Sequence, residues 1–129
     1  MVKVPSKTFV NLIEPQFAKY AISFAPELIP IILSGEKVKT YRYGNKYDYL
    51  KVGDLVQIEN TKTKEIVAQA VVLNKQPTTF GELPLTLQGH EEYESKEQQR
   101  NVMSGYYAYL GKALENSDQF LILEFQLKP

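Results

Sequence analysis

Eleven residues from Ser34 to Gly44, SGEKVKTYRYG, hold three cations (Lys37, Lys39, Arg42), one threonine (Thr40) and two tyrosines (Tyr41, Tyr43). Lysine and arginine meet anionic groups, tyrosine faces stack on planar ones, and a hydroxyl beside a base is a candidate nucleophile. The segment therefore carries the residue types for holding an anionic, planar ligand and for cutting it. The chain has no cysteine and one histidine, His90, which excludes a thiolate nucleophile, a disulfide scaffold and a histidine-rich metal cluster. A hydroxyl must serve if there is a nucleophile. His90 reads as a turn or cleft-wall residue, because nothing near it in sequence supplies a metal's other donors. The plainer alternative for the whole segment is a solvated edge strand. Threonine favours strands, lysines blunt exposed edges, and tyrosines at 41, 43, 47 and 49 suit a half-buried sheet.

Spacing sharpens the choice. On a regular strand, residues two apart share a face and residues three apart do not. Thr40 and Arg42 can thus act together, but Lys37 can join Thr40 only if Glu36 and Lys37 lie in a turn after Gly35, or if a bulge intervenes.

Charge is uneven along a chain whose formal net charge is zero. Lys37, Lys39, Arg42, Lys46 and Lys51 stand against Asp48 alone, whereas Glu82, Glu91, Glu92, Glu94 and Glu97 stand against Lys96. A neutral whole gives no bulk attraction to nucleic acid, so any such attraction must be local. An acidic segment facing the basic one would repel a long polyanion, and the same pairing could instead tie two parts of the fold together.

The elements that must position these residues follow from periodicity. Phe17, Tyr20, Ala21 and Phe24, then Leu28, Ile29, Ile32 and Leu33, recur at helical spacing, so two short helices are expected, with Pro26 in the first turn of the second and Gly35 as its C-cap. KVKTYRY reads as a strand. DLVQIEN and KEIVAQAVVLN flank the polar TKTK as a hairpin, the second strand apolar enough to be central and buried on both faces. TTFGELPL suggests a single helical turn ended by Pro84. Ser95 and Gln98 form a capping box that opens an amphipathic helix running toward Gly105, with a further short helix in YYAYLGKAL. QFLILEFQL closes the chain as a strand whose two faces start apolar, one turning polar. This order predicts an α+β fold, a small curved barrel with flanking helices, and argues against a parallel doubly wound sheet.

The 129 residues fit one domain, with the motif-bearing region at about 29–127 and an N-terminal helical extension at about 1–28. With 43% apolar and 23% charged residues, no run approaching the roughly 20 apolar residues of a membrane span and no secretory signal pattern at the N-terminus, a soluble cytoplasmic protein is expected. No cofactor and no metal are expected, and no feature points to DNA in particular.

The segments GEKVKTYR (Gly, any, Lys, two residues, Thr, any, Arg), LKVGDLVQIEN, TTFGEL, GHEEYES and FLILEFQL, in this order from about Ile29 to the C-terminus, resemble the ASCH (activating-signal-cointegrator homology) domain. The resemblance implies the PUA-like fold and a cleft onto which the Gly-x-Lys-x-x-Thr-x-Arg segment opens. PUA-like relatives bind RNA, some ASCH proteins remove the acetyl group from N4-acetylcytidine, and a ribonuclease activity is attributed to others. In the amidohydrolases a Lys, a Thr and a Glu carry the chemistry. These fall on Lys37, Thr40 and Glu91, with Glu92 the alternative acid and Arg42 the last member of the motif. The resemblance thus implies RNA or a modified nucleoside as partner. For binding, Lys37, Lys39, Arg42 and Lys46 would meet phosphates, with one of the tyrosines, such as Tyr41 or Tyr43, stacking on a base. For amide hydrolysis, Lys37 would have to lose its proton near neutral pH, through burial or a neighbouring cation, to activate Thr40.

Overall fold

A computed structural model describes residues 20–129. Alternating β-branched and aromatic residues form five strands: β1 (Tyr20–Phe24), β2 (Lys39–Tyr43), β3 (Leu55–Asn60), β4 (Ile66–Thr79) and β5 (Gln119–Leu127). They make one sheet in the order β1-β3-β4-β5-β2. β1 runs parallel to β3, and every other neighbour pair is antiparallel. Register shifts at Ile58/Glu59 and at Val72/Asn74 insert extra residues into the ladder, and such bulges add twist and bend a sheet. The sheet curls into a half-barrel whose edge strands, among the described residues, are β1 and β2, the small curved α+β architecture expected from sequence.

The 3-10 turn Pro26–Leu28 leads into α1 (Ile29–Leu33). Gly35, at φ +86°, ends that helix in the left-handed region glycine adopts without strain. α2 (Lys96–Tyr106) starts at Ser95, whose hydroxyl accepts the Gln98 amide hydrogen bond as the capping signal predicts. The Gln98 side chain in turn accepts from the Glu94 amide. A 3-10 turn, Ala108–Leu110, follows.

β5 explains why there are two cores. Leu121, Leu123 and Phe125 point into a cluster with Ile22, Phe24, Ile32 and Ile58 inside the curl. Phe120 and Ile122 point the other way, to Tyr41, Phe80, Leu83 and Met103 beneath α2. Each buried aliphatic or aromatic side chain contributes on the order of 1.5–3 kcal/mol, so a strand apolar on both faces holds the sheet, α1 and α2 together.

Two expectations change. Tyr20–Phe24 is a strand rather than the end of a helix; YAISF satisfies both periods, and parallel pairing with β3 buries Ile22 and Phe24 on one face. The rest of that expected helix, and the extension before it, lie outside the described residues. β4 is central but not buried on both faces, since Ile66 and Leu73 remain 42% and 43% exposed. Among the described residues no helix is long and apolar enough to cross a membrane.

Candidate functional site

Where α1 ends, the backbone takes one more bonded step before the sheet begins. The Lys37 amide donates to the Ile31 carbonyl, and the Val38 and Lys39 amides both donate to the Gly89 carbonyl, at 2.9 and 3.0 Å. β2 starts only at Lys39, so Lys37 stands ahead of the strand and escapes its alternation. The geometric condition on the motif is met: Lys37, Thr40 and Arg42 line one cleft of about 560 Å³, with Glu91 among the other lining residues. Gly89 has φ +86°, and a Cβ there would sit 2.5 Å from Val38 Cγ2. Only glycine lets the 89–91 loop approach this closely.

Lys37 is 2% exposed. Its Nζ donates to the Lys39 carbonyl, which leads into Thr40, at 2.8 Å, and lies 2.8 Å from Glu91 Oε2. Glu91 Oε2 is buried without an aligned hydrogen bond among the described residues, so the contact is an ion pair approached off-axis. Burial pushes the Lys37 ammonium below the usual lysine range; Glu91 opposes the shift and Arg42 reinforces it. Desolvation wins because the ammonium has lost its water and has one carboxylate in exchange.

Thr40 is buried, and its Oγ1 accepts from Arg42 Nε at 2.9 Å. Arg42 Nη2 donates to the Ser23 carbonyl on β1 at 2.8 Å, and the guanidinium carbon lies 4.6 Å from the Phe24 ring centroid. Arg42 therefore spans the two free edges of the sheet. Among the described residues, the cleft lies between these two edge strands, β1 and β2.

Aromatic rings form much of the wall. His90 lies on Tyr41, centroids 3.7 Å apart and planes 9° from parallel. Burial, reinforced by Lys37, lowers the His90 pKa to about 4, so the ring is neutral at physiological pH. Burial and Glu91 push the Tyr41 phenol up to about 12 and also raise that of Tyr93. Tyr106 and Tyr109, 44% and 74% exposed, stand on the rim.

Of the residues singled out from sequence, Lys37, Thr40, Tyr41, Arg42, Lys46 and Glu91 border the cleft. Lys39 and Tyr43 are not among its lining residues. The Lys39 ammonium is held by the Gln88 carbonyl, and Tyr43 packs on Tyr107 and Phe120. Between the two acids, Glu91 reaches Lys37, while Glu92 is exposed and outside the lining. His90 is a cleft-wall residue, as its sequence position suggested. Sequence reasoning missed Ser23 and Phe24, hidden in a segment read as helical. It also missed Tyr93, Tyr106, Tyr107 and Tyr109, for which the tyrosine-rich run GYYAYLG was the available signal. Lys64, also on the cleft, has φ +66°, a left-handed conformation uncommon for a residue with a side chain.

No protein-family model and no curated protein matches the chain. Solved structures do. The ASCH domain from Lactobacillus crispatus is 19% identical with a TM-score of 0.54, over 76% of this chain and 68% of that one. The ASCH protein of Zymomonas mobilis is 19% identical with a TM-score of 0.57, over 82% and 66%. A protein of Enterococcus faecalis is 12% identical with a TM-score of 0.65, over 92% and 79%. The fold of this chain is that of the ASCH domain, a PUA-like α+β architecture.

Proposed function

We propose that the cleft takes up a modified nucleoside and hydrolyses an exocyclic amide of the N4-acetylcytidine kind. The observation that carries this reading is the buried, pKa-lowered Lys37 held between Glu91 and the peptide leading into Thr40. Burial lowers the Lys37 pKa, which favours the neutral form that a base requires, and Thr40, a buried hydroxyl on the same cleft, is the group it would activate.

The steps balance with these residues alone. Neutral Lys37 takes the Thr40 hydroxyl proton as Oγ1 attacks the acetyl carbonyl carbon. Arg42, already bonded to Oγ1, stabilises the negative charge that passes to the carbonyl oxygen, and Glu91 stabilises the ammonium that Lys37 becomes. The carbon–nitrogen bond breaks, the Lys37 proton goes to the departing exocyclic nitrogen, and the acetyl group remains on Thr40. Water, losing a proton to Lys37, then attacks the ester; as the bond to Oγ1 breaks, Lys37 returns that proton to Thr40 Oγ1, which releases acetic acid and leaves Thr40 and Lys37 as they began.

The electrostatics favour a pocket over a track for a polyanion. Lys37 is buried and paired and Lys39 is off the cleft, which leaves Lys46 and Lys64 as exposed lysines on its lining. Two phosphate contacts would give single-stranded RNA binding a log–log salt slope of only about −1.4. One observation favours a second reading, binding without cleavage: exposed Tyr106 and Tyr109 share the cleft with those two lysines, the pairing of aromatic platform and cation used for single strands.

Incubation of the purified protein with N4-acetylcytidine decides between them, with Lys37→Ala, Thr40→Ala and Glu91→Ala as controls. Turnover lost in the variants supports the hydrolase. No turnover above buffer, together with tight binding of single-stranded RNA, would replace it with the binding reading.

A further inference from the structure

His90 has no task in the reaction just described, yet it is among the most constrained side chains of the cleft. Its side chain is 4% exposed and lies flat on Tyr41 at 3.7 Å. Its Nδ1 is 2.9 Å from the Glu91 carbonyl oxygen. A carbonyl oxygen can only accept, so Nδ1 carries the hydrogen and Nε2 carries the lone pair. Nε2 has no hydrogen-bond partner among the described residues, and it is not one of the buried polar atoms left unpaired there. His90 itself lines the cleft, the side from which a ligand would meet Nε2. The low pKa, about 4, keeps this lone pair free at neutral pH. The pocket thus holds a fixed acceptor, oriented by a stack on one side and a backbone bond on the other, next to the Lys37–Glu91 pair.

We propose that His90 is a specificity-determining residue of the cleft, its Nε2 accepting the N–H of a secondary amide on the exocyclic nitrogen of the bound base. The inference rests on the nucleoside reading above and narrows it: ligands are chosen for an N–H donor at that nitrogen. A tertiary amide, methylated there, leaves Nε2 unpaired. An acceptor desolvated by the ligand and left without a donor costs about tenfold to a hundredfold in kcat/KM. After cleavage the amine product still offers N–H, so cytidine itself remains a ligand.

The test compares N4-acetylcytidine with N4-acetyl-N4-methylcytidine in the wild-type protein, in His90→Phe, which keeps an aromatic ring on Tyr41 but has no acceptor, and in His90→Gln. The wild type is expected to prefer the secondary amide by about tenfold or more, and His90→Phe to bring the ratio close to one. Nitrogen-15 NMR of wild-type His90 during titration with cytidine gives a readout that needs neither turnover nor a folded variant. The Nε2 resonance should start at the shift of an unprotonated ring nitrogen and move upfield on binding. Turnover or binding with an unmoved Nε2, or a ratio equally large in folded His90→Phe, overturns the assignment while leaving the hydrolase reading intact. No turnover and no binding of either nucleoside or of cytidine sinks the nucleoside reading and this inference with it.

Discussion

The Lys37 ammonium lies 2.8 Å from Glu91 Oε2, with Lys37 2% and Glu91 33% exposed. The two residues are 54 positions apart in the chain, and their pairing fixes the loop 89–91 on the start of β2. Removing one partner of such a pair leaves the other in a poorly solvated place, whereas replacing both with apolar groups does not. We expect Lys37→Met to lower the unfolding free energy by roughly 2–3 kcal/mol, below the range for fully buried pairs because water reaches one side of Glu91. The double variant Lys37→Met/Glu91→Leu should recover most of that loss, measured by urea unfolding as a double-mutant cycle.

The same pair sets the proton affinity of the proposed base. Glu91 raises the Lys37 pKa against the stronger effect of burial, so Glu91→Gln should lower it further. A carbon-13 titration of the Lys37 Cε resonance reads this directly, with the midpoint moving to lower pH in the variant. An unchanged midpoint would mean that the contact carries no charge coupling. If Lys37 acts as base, the rising limb of the pH–rate profile should move in the same direction.

Arg42 ties Thr40 on β2 to Ser23 on β1 through two different nitrogens. A lysine at this position has one ammonium and cannot reproduce the fork. Arg42→Lys should cost about 1.5–3 kcal/mol, the worth of one charge-assisted hydrogen bond. It should also loosen this link, seen as faster amide exchange in β1 and β2 than in β4. Protection that falls equally in all strands would indicate general destabilisation instead.

How far these features could be read in advance depended on how local their causes are. The α2 cap at Ser95 and Gln98, the β3–β4 hairpin and the glycine stop at Gly35 are decided within a few residues, and each was legible. β1 was not, because Tyr20, Ile22 and Phe24 alternate while Phe17, Tyr20, Ala21 and Phe24 also fit a helix, and the decision belongs to the distant β3. In the site, the spacing of Lys37, Thr40 and Arg42 was informative because only the turn after Gly35 lets all three face one cleft. Lys39 and Tyr43 were included by adjacency alone; they share a face of β2 with Tyr41, but of the three only Tyr41, stacked on His90, reaches the cleft, while Gln88 holds Lys39 and Tyr43 packs on Tyr107 and Phe120. Ser23 and the Tyr41–His90 stack involve partners 19 and 49 positions away from Arg42 and Tyr41, separations that no local pattern encodes.

Gly89 is where a single methyl group should be felt in the site. Its carbonyl receives both the Val38 and Lys39 amides, its φ is +86°, and a Cβ would meet Val38 Cγ2 at 2.5 Å. Gly89→Ala combines a left-handed backbone strain of about 1–2 kcal/mol with a clash that pushes the loop, and hence His90 and Glu91, off the cleft. Gly44→Ala shares the positive φ, +73°, but has nothing within 4 Å, and so measures the backbone term alone. Thermal unfolding should rank Gly89→Ala below Gly44→Ala, with ligand binding impaired only in the former. Equal effects would show that the close approach is unimportant.

Acid stability should carry the signature of His90. Its pKa is about 4 in the folded chain and about 6.5 when unfolded, so between these values the unfolded state binds a proton that the folded state refuses. Stability therefore rises with pH across this window and is lost as pH falls through it. The difference of some 2.5 units corresponds to about 3 kcal/mol, undiminished by solvent because the side chain is only 4% exposed. The groups facing the ring account for the sign: Lys37 and Arg42 oppose its protonation and Glu91 favours it less strongly than burial resists it, while the Tyr41 and Tyr93 phenols, both raised, stay uncharged throughout. His90→Phe removes the titrating group and keeps a ring on Tyr41. Carboxylates titrate in the same range in both proteins, so the quantity to follow is the difference in unfolding free energy between wild type and variant. On lowering the pH from 7.5 to 4 that difference should shift by about 3 kcal/mol in favour of the variant. Parallel acid limbs would mean that His90 takes up its proton in the folded state as readily as in the unfolded chain, and would remove the basis for treating Nε2 as a permanent acceptor.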